Sequence, residues 1–549
     1  MNASRMSGGE AVAATLAALG VTHVFGIVSV HNLPIYDALV HGGVITVVRS
    51  RHEQGAAHAA DAFARATGRL GVVLTSTGPG AVNAMAGLYE AQFGSSPLLM
   101  ITGQIETRFY GKGKGFLHEA EKQLDMLRCV TRRAESVRRT EDIAATVMAV
   151  ATDILTGRPQ PGAVEIPIDL QYREADITIP QWQPSSHPEL DIDALDRAAA
   201  ALSDAERPLI WAGGGVISAN ASDALAALVA KLGAPVITTI EGRGALPEDH
   251  PLCLGPRTER GALSPIIAEA DVVLAVGTRF QNYATRVWQL RMPGQLIHLD
   301  ADPGVIGRNY PAAIPIVADA ADGLWALAER VRGGGIDEGY VDRARKSVQA
   351  DLEKSAEEVG VDHWQICETI RRLLPDASPV VRDSTVPSYL WGNRILPIRR
   401  PRTSIRPSSL AIGPGVPLAV GAALGSGQRT LLIQGDGGLM LSLGELATAV
   451  EYQLPIVICV FNDGGYGVLR SIQDRVLERR SGVDLHTPDF AALGAAMGLA
   501  SEKVVGVAQF EPAFARALER PGPTLLDIDM GSLAPMTFPI PPHQQRKRP

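Results

Sequence analysis

Two short segments carry residue types suited to a metal-bound phosphate. Ile433-Gln434-Gly435-Asp436-Gly437-Gly438 is followed by Phe461-Asn462-Asp463-Gly464-Gly465-Tyr466-Gly467, with Asp436 and Asp463 27 positions apart. Each segment ends an apolar run that reads as a strand, and open α/β sheets bind ligands outside the carboxyl ends of their strands. Glycines there let backbone N–H groups approach phosphate oxygens, and a following helix N-terminus adds positive potential. A carboxylate beside a diphosphate suits Mg²⁺, which shares its oxygen ligands with phosphates. The separation leaves room for a strand end, a crossover helix and the next strand, so both carboxylates can meet at one sheet edge.

A third carboxyl group lies far upstream, in Arg51-His52-Glu53-Gln54-Gly55-Ala56-Ala57-His58-Ala59-Ala60. A strand enters this segment and an Ala-rich helix leaves it. Desolvation in so apolar a place keeps an acid protonated and able to donate. A Glu at a helix start is also what the helix dipole favours, so the position alone leaves both readings open. Two histidines stand on loops: His31 in Val28-Ser29-Val30-His31-Asn32, and His118 in Gly115-Phe116-Leu117-His118-Glu119. Either imidazole could shuttle protons at neutral pH, or serve a structural purpose.

The elements that must hold these groups repeat one rhythm: a short apolar strand, a turn with Gly, then an Ala-rich amphipathic helix. That alternation predicts βαβ units and parallel sheets. Strands are expected at 71–75, 98–101 and 163–167, then at 208–211, 235–237, 271–276 and 296–299, then at 380–381, 430–433, 456–461 and 524–528. A Pro-rich polar stretch from Arg173 to Pro188 reads as a linker, and the charged helical stretch Asp337 to Glu358 as a connector. The chain of 549 residues is too long for one ordinary domain. The expectation is α/β, with three doubly wound parallel-sheet domains at 1–172, 189–336 and 362–549. No sequence repeat of fixed period accompanies the repeated architecture.

Composition narrows the function classes. The formal net charge is −8, which argues against a nucleic-acid groove or a polybasic membrane patch. The basic cluster Arg546-Lys547-Arg548 reads as a frayed terminus. No two of the four cysteines stand in CxxC spacing, so neither a zinc site nor a disulfide framework is suggested. Cys459 sits in an apolar run and reads as a buried, inert thiol. Neither a signal peptide nor a stretch of ~18 uncharged apolar residues is visible. The expected setting is the cytoplasm, with no membrane partner.

The paired Gly-Asp-Gly and Asn-Asp segments resemble the motif of thiamine-diphosphate enzymes, which opens with Gly-Asp-Gly and closes with Asn-Asn. The resemblance implies thiamine diphosphate and Mg²⁺ as cofactors. It makes Asp436 the first metal ligand, puts Asp463 at the second Asn, and has Gly465 offer its carbonyl, with Asn462 as the alternative side-chain ligand. Gly435, Gly437, Gly438, Tyr466, Gly467 and Val468 would line the diphosphate. Glu53 would be the family's glutamate, which donates to the pyrimidine ring nitrogen and so promotes loss of the thiazolium proton. The run Thr75 to Asn83 resembles the loop lining the active site in the acetolactate synthase-like branch, with Thr77, Pro79 and Asn83 at the cofactor. Ala411-Ile412-Gly413-Pro414-Gly415 resembles the segment under the thiazolium. There Ile412 would be the apolar wedge that bends the cofactor, and the Leu410 carbonyl would face the aminopyrimidine. The three domains become pyrimidine-binding, central and diphosphate-binding. The cofactor would span the first and third of different subunits, so a homodimer or homotetramer is implied.

Departures from the branch bear on the reaction. His118 stands where acetolactate synthases carry a Gln, and Ile472 where they carry an acceptor-selecting Trp. Leu469 stands where pyruvate decarboxylases carry a Glu. His31-Asn32 and Leu117-His118-Glu119 resemble a side branch of guanidino oxo acid decarboxylases and cyclic-diketone hydrolases. The reading is decarboxylation or cleavage of a small 2-oxo acid or diketone through an enamine, with Glu53, His31 and His118 as catalytic groups. The fragment leaves as an aldehyde or passes to a second carbonyl. Alternatives are acetolactate synthase proper, an FAD-containing oxidase, and a silent cofactor-binding paralogue, the last opposed by intact Glu53 and Asp436. FAD is possible but unsupported, since Gly213-Gly214-Gly215 lacks the full spaced fingerprint.

Overall fold

The apolar runs fold as the strands expected of them. The computed structural model describes residues 3–184 and 186–539, so the basic tail lies outside the described residues. Among these residues three six-stranded sheets form, every neighbouring pair of strands in them parallel. The first sheet runs Thr46–Arg49, His23–Gly26, Gly71–Thr75, Leu98–Gln104, Gly162–Pro167, Arg133–Ser136. The third runs Ser404–Ile405, Val380–Arg382, Thr430–Gly435, Ile456–Asn462, Thr524–Asp529, Ala500–Val505. In chain order both read 2-1-3-4-6-5, so one winding is used twice. The middle sheet runs Cys253–Gly255, Val236–Thr238, Pro208–Ala212, Val272–Val276, Gln295–Asp300, Ile314–Val317, which is the 3-2-1-4-5-6 order. All three reverse direction beside their first strand, and the crevice at that switch point is where such sheets bind ligands.

Several strands were not expected. Arg133–Ser136 and Ala500–Val505 are sheet edges with partly exposed, polar-interrupted sequences, as is Thr46–Arg49, the strand expected ahead of Glu53. Glu174–Ile177, inside the stretch read as a linker, pairs antiparallel with Ser4–Ser7. Its ladder partner sits at the other end of the domain, so no local pattern announces it. Glu338–Val359 is the long helix that leads into the third sheet.

The first and third sheets are joined through two helices. Glu53–Thr67 and Gly415–Ser426 share one apolar core, with Ala56, Ala60 and Phe63 beside Leu418, Ala419 and Ala422. The backbones come so close that a Cβ at Gly421 would stand 1.9 Å from the Ala59 carbonyl oxygen. Among the described residues no helix is long and apolar enough to cross a membrane.

Candidate active site

Strands Thr430–Gly435 and Ile456–Asn462 are neighbours in register, Gly435 opposite Phe461, so their carboxyl ends open at one level. Asp436 starts the short helix Asp436–Leu439 and is 1% exposed. Its Oδ2 accepts the Gly465 N–H at 2.7 Å, and burial pushes the carboxyl above the ordinary range. Asp463 is pushed up to about 6, first by burial and then by the charge of Asp436. Its Oδ1 is buried without a hydrogen-bond partner, and the Arg470 guanidinium stays 3.7 Å away. Two carboxylates that disfavour each other's charge, one with an unused oxygen, fit a divalent cation held between them. Asn462 is turned elsewhere: its amide donates to Asp527 Oδ1 at 3.3 Å and accepts the Gly464 N–H at 3.3 Å. Asp463, rather than Asn462, therefore stands with Asp436. Gly437 and Gly438 are buried in the short helix, while Tyr466 leads into the helix Gly467–Val476, none of whose residues is fully buried and whose Val468 packs against the third domain's core.

Glu53 is the first residue of its helix and half-buried. Its Oε2 accepts the Asn83 amide at 3.0 Å, and its Oε1 lies 3.2 Å from where a Cβ at Gly80 would stand. The helix Pro79–Gly94 thus presents Gly80 and Asn83 to the carboxyl, with Pro79 as its exposed first residue. Thr77 faces the other way. Its hydroxyl is wholly buried and donates to Gln123 Oε1 at 2.9 Å, an oxygen that also accepts the Gly78 N–H at 2.8 Å. Gln123 in turn donates to Glu165, which accepts the Tyr110 hydroxyl. Thr77 therefore anchors the loop from below through its hydroxyl.

His31 and His118 meet. Their ring centroids are 5.0 Å apart, and both Nδ1 atoms are buried without a hydrogen-bond partner. His118 has a left-handed backbone (φ 65°), and a Cβ at Gly78 would stand 2.5 Å from its carbonyl oxygen. Burial, and then the neighbouring His118, lower the pKa of His31. The segment from Gly78 to Asn83, the start of the helix Pro79–Gly94, thus touches His118 at one end and Glu53 at the other.

In the third sheet, Leu410 also adopts a left-handed backbone (φ 65°), and its carbonyl accepts the Ser384 hydroxyl at 3.1 Å. Ile412 is 39% exposed, which is not the burial of a core residue.

The comparisons with known proteins agree with one another. Sequence profiles of the thiamine pyrophosphate enzymes match in chain order: the N-terminal TPP binding domain at residues 6–129, the central domain at 195–327 and the C-terminal TPP binding domain at 386–528. A probable acetolactate synthase large subunit of Methanocaldococcus jannaschii is 32% identical over 97% of this chain and 94% of its own length. The chain belongs to the thiamine pyrophosphate enzyme family.

Within that family this thiamine-diphosphate enzyme lies in the acetolactate synthase and 2-oxo acid decarboxylase branch. It is similar to a probable 2-ketoarginine decarboxylase of Pseudomonas aeruginosa, 33% identical over 95% of this chain and 94% of the relative. It is also similar to acetolactate synthase isozyme 2 large subunit of Escherichia coli, 31% identical over 98% of each.

Sequence reasoning missed Asp383, the hub of the third sheet's switch point. Wholly enclosed, it accepts the N–H groups of Ser384 at 2.6 Å, Gly413 at 3.0 Å and Gly415 at 3.4 Å, and the Gln434 amide at 2.6 Å. It ties the Leu410–Gly415 turn to the strand that ends in Gly435-Asp436. Burial still raises its carboxyl pKa. The available signal was its place one residue after an apolar strand, the rule that singled out Asp436. Beside the middle sheet, Gly214, Thr278, Arg279 and Asp300 line a cavity of about 840 Å³ together with Arg406 of the third domain.

Proposed function

We propose that this thiamine-diphosphate enzyme requires Mg²⁺ and decarboxylates or cleaves a small 2-oxo acid or diketone, releasing an aldehyde in preference to joining it to a second carbonyl. The observation behind the preference for aldehyde is the His31–His118 pair, which meets Gly78 at the start of the segment whose Gly80 and Asn83 hold Glu53. When bound, thiamine diphosphate supplies a nucleophilic carbon and an electron sink.

The chain's own groups divide the remaining work. Asp436 and Asp463 would hold Mg²⁺ with the Gly465 carbonyl, and the glycines around them would admit the diphosphate. Ile412 and the Leu410 carbonyl would orient the rings. Glu53 would hold a proton on its carboxyl, directed at the pyrimidine nitrogen, with the Asn83 amide fixing its orientation. His31 and His118 would supply a proton to the carbon that loses its carboxylate. Glu53 makes no hydrogen bond to Leu410 or Ile412, its partner being Asn83. Exposed apolar residues lie on both sides: Val82 and Tyr89 beside Asn83, and Leu410, Ile412 and Leu441 on the third sheet. Both facts support a homo-oligomer in which one subunit's Glu53 serves the other's diphosphate site. FAD finds no support in the comparisons and is not assigned.

A second reading, acetolactate synthesis from two pyruvates, is favoured by the names of the Methanocaldococcus and Escherichia relatives. The test is a panel of 2-oxo acids, pyruvate and a guanidino oxo acid included, with thiamine diphosphate and Mg²⁺, following CO₂ and carbonyl products together. Aldehyde as the main product supports the first reading, and acetolactate from pyruvate supports the second.

A further inference from the structure

Glu445 is assigned no part in the reading above, yet it is 3% exposed and reaches across the junction between the first and third sheets. Its Oε1 accepts the backbone N–H groups of Arg51 at 2.9 Å and His52 at 3.1 Å. Its Oε2 accepts the Thr448 hydroxyl at 2.7 Å. The side chain lies directly over Gly55, where a Cβ would come 2.3 Å from Oε1. Glu445 also opens the helix Glu445–Glu451, which follows closely after Asp436–Leu439.

The rest of that helix grips the same stretch of backbone. The Tyr452 hydroxyl, one residue past its end, accepts the Arg49 N–H and donates to the Val47 carbonyl, both at 2.9 Å. Glu451 pairs with Arg49 and Arg51. Strand Thr46–Arg49 is a sheet edge, so these backbone groups have no strand partner on that side. The side chains of the third domain take that place.

The N–H groups that lead into a helix have no partner inside it, and a carboxylate there is favoured by the helix dipole. Glu445 supplies that carboxylate from another domain, on the two residues immediately before Glu53. We propose that Glu445 is the positioning residue for Glu53: it sets the backbone from which the proton-donating carboxyl projects and ties it to the segment that carries Asp436. The inference rests on the proposed role of Glu53. A residue that only joined the domains would make the same contacts but would affect activity independently of Glu53.

The test uses the full-length protein with thiamine diphosphate and Mg²⁺, and needs no knowledge of the substrate. Deuterium exchange at the thiazolium C2 of the bound cofactor is followed in D₂O by NMR after acid quench. Cofactor affinity is measured by calorimetry and folding by thermal unfolding. Glu53→Gln is expected to slow exchange ~10²-fold or more, as loss of a proton-transfer group does. Glu445→Ala is expected to slow it roughly tenfold, with affinity within about threefold of wild type, because misplacing the group harms proton transfer more than binding. Glu445→Gln, whose amide oxygen still accepts both N–H groups, should stay near wild type. The double variant Glu53→Gln/Glu445→Ala should be no slower than Glu53→Gln alone, since a residue acting through another adds nothing once that other is gone.

Wild-type exchange in Glu445→Ala would overturn the inference, and so would a double variant that loses the product of the two single effects. Should Glu445→Ala fail to fold, Glu445→Asp, one methylene short of the same N–H groups, carries the same expectations. If Glu53→Gln exchanges as fast as wild type, the proposed role of Glu53 fails, a result distinct from either outcome for Glu445.

Discussion

His31 and His118 face each other with ring centroids 5.0 Å apart and planes tilted by 40°, one from the first strand-to-helix loop and the other from a left-handed turn. Burial and the neighbouring ring hold the His31 pKa below its ordinary value. With pyruvate as sole substrate, acetaldehyde should exceed acetolactate. His118→Gln should lower that ratio at least ~threefold, because an amide hydrogen-bonds but supplies no proton. Product ratios by chromatography decide it. An unchanged ratio in the variant removes His118 from the chemistry, and dominant wild-type acetolactate refutes the aldehyde reading.

The metal site makes three separable predictions, read by calorimetry. Asp436→Ala should abolish Mg²⁺-dependent binding of thiamine diphosphate. Asp463→Asn should keep it, since the amide oxygen still ligates and a charge beside the diphosphate is removed. Asn462→Ala should also keep it, because that amide is engaged with Asp527 and Gly464. Loss of binding in Asn462→Ala with retention in Asp463→Ala would reverse the ligand assignment.

Asp383→Ala should cost both affinity and stability. It strips one of the Gln434 amide's two partners and the carboxylate partner of the Gly413 N–H inside the protein, and a buried donor left unsatisfied costs about 1–3 kcal/mol. Cofactor affinity should fall at least ~tenfold as the Leu410–Gly415 turn loosens. Wild-type affinity together with an unchanged melting temperature would show that the hub is dispensable.

The pH dependence of stability has a defined sign. His363 is 1% exposed, packs against Phe461, and is held by burial at a pKa of about 4, against 6.5 in the unfolded chain. As pH falls through 6.5 the unfolded chain takes up a proton that the folded chain refuses, so stability is lost down to about pH 4. At pH 5 that loss is about 2 kcal/mol. His363→Leu should lose correspondingly less than wild type between pH 7 and pH 5 in thermal unfolding of the cofactor-free protein. Equal losses in the two proteins would show that His363 titrates normally when folded. Asp300, raised by burial to about 6, works in the opposite direction, which is why the difference between variants is the quantity to read.

Local pattern determined the α/β class, the three parallel sheets and most of their central strands. Apolar runs and Gly turns are short-range features that the backbone reads directly. It also singled out Asp436, Asp463, Glu53, His31 and His118 as groups able to do chemistry, since acids after strands and histidines on loops are visible residue by residue. Which of those groups meet was decided only by long-range packing. Successive side chains on a strand point to opposite faces, so register and the turn after Phe461 decided that Asp463 stands with Asp436 while Asn462 turns to Asp527. Burial turned Thr77 inward, because a hydroxyl enclosed beneath the loop needs a partner and Gln123 provides one. The Glu174–Ile177 pairing and the reach of Glu445 to Arg51 depend on partners hundreds of positions away or at the far end of a domain. Such contacts leave no periodic trace in the chain, because what stabilises them is the complementary group that folding brings alongside.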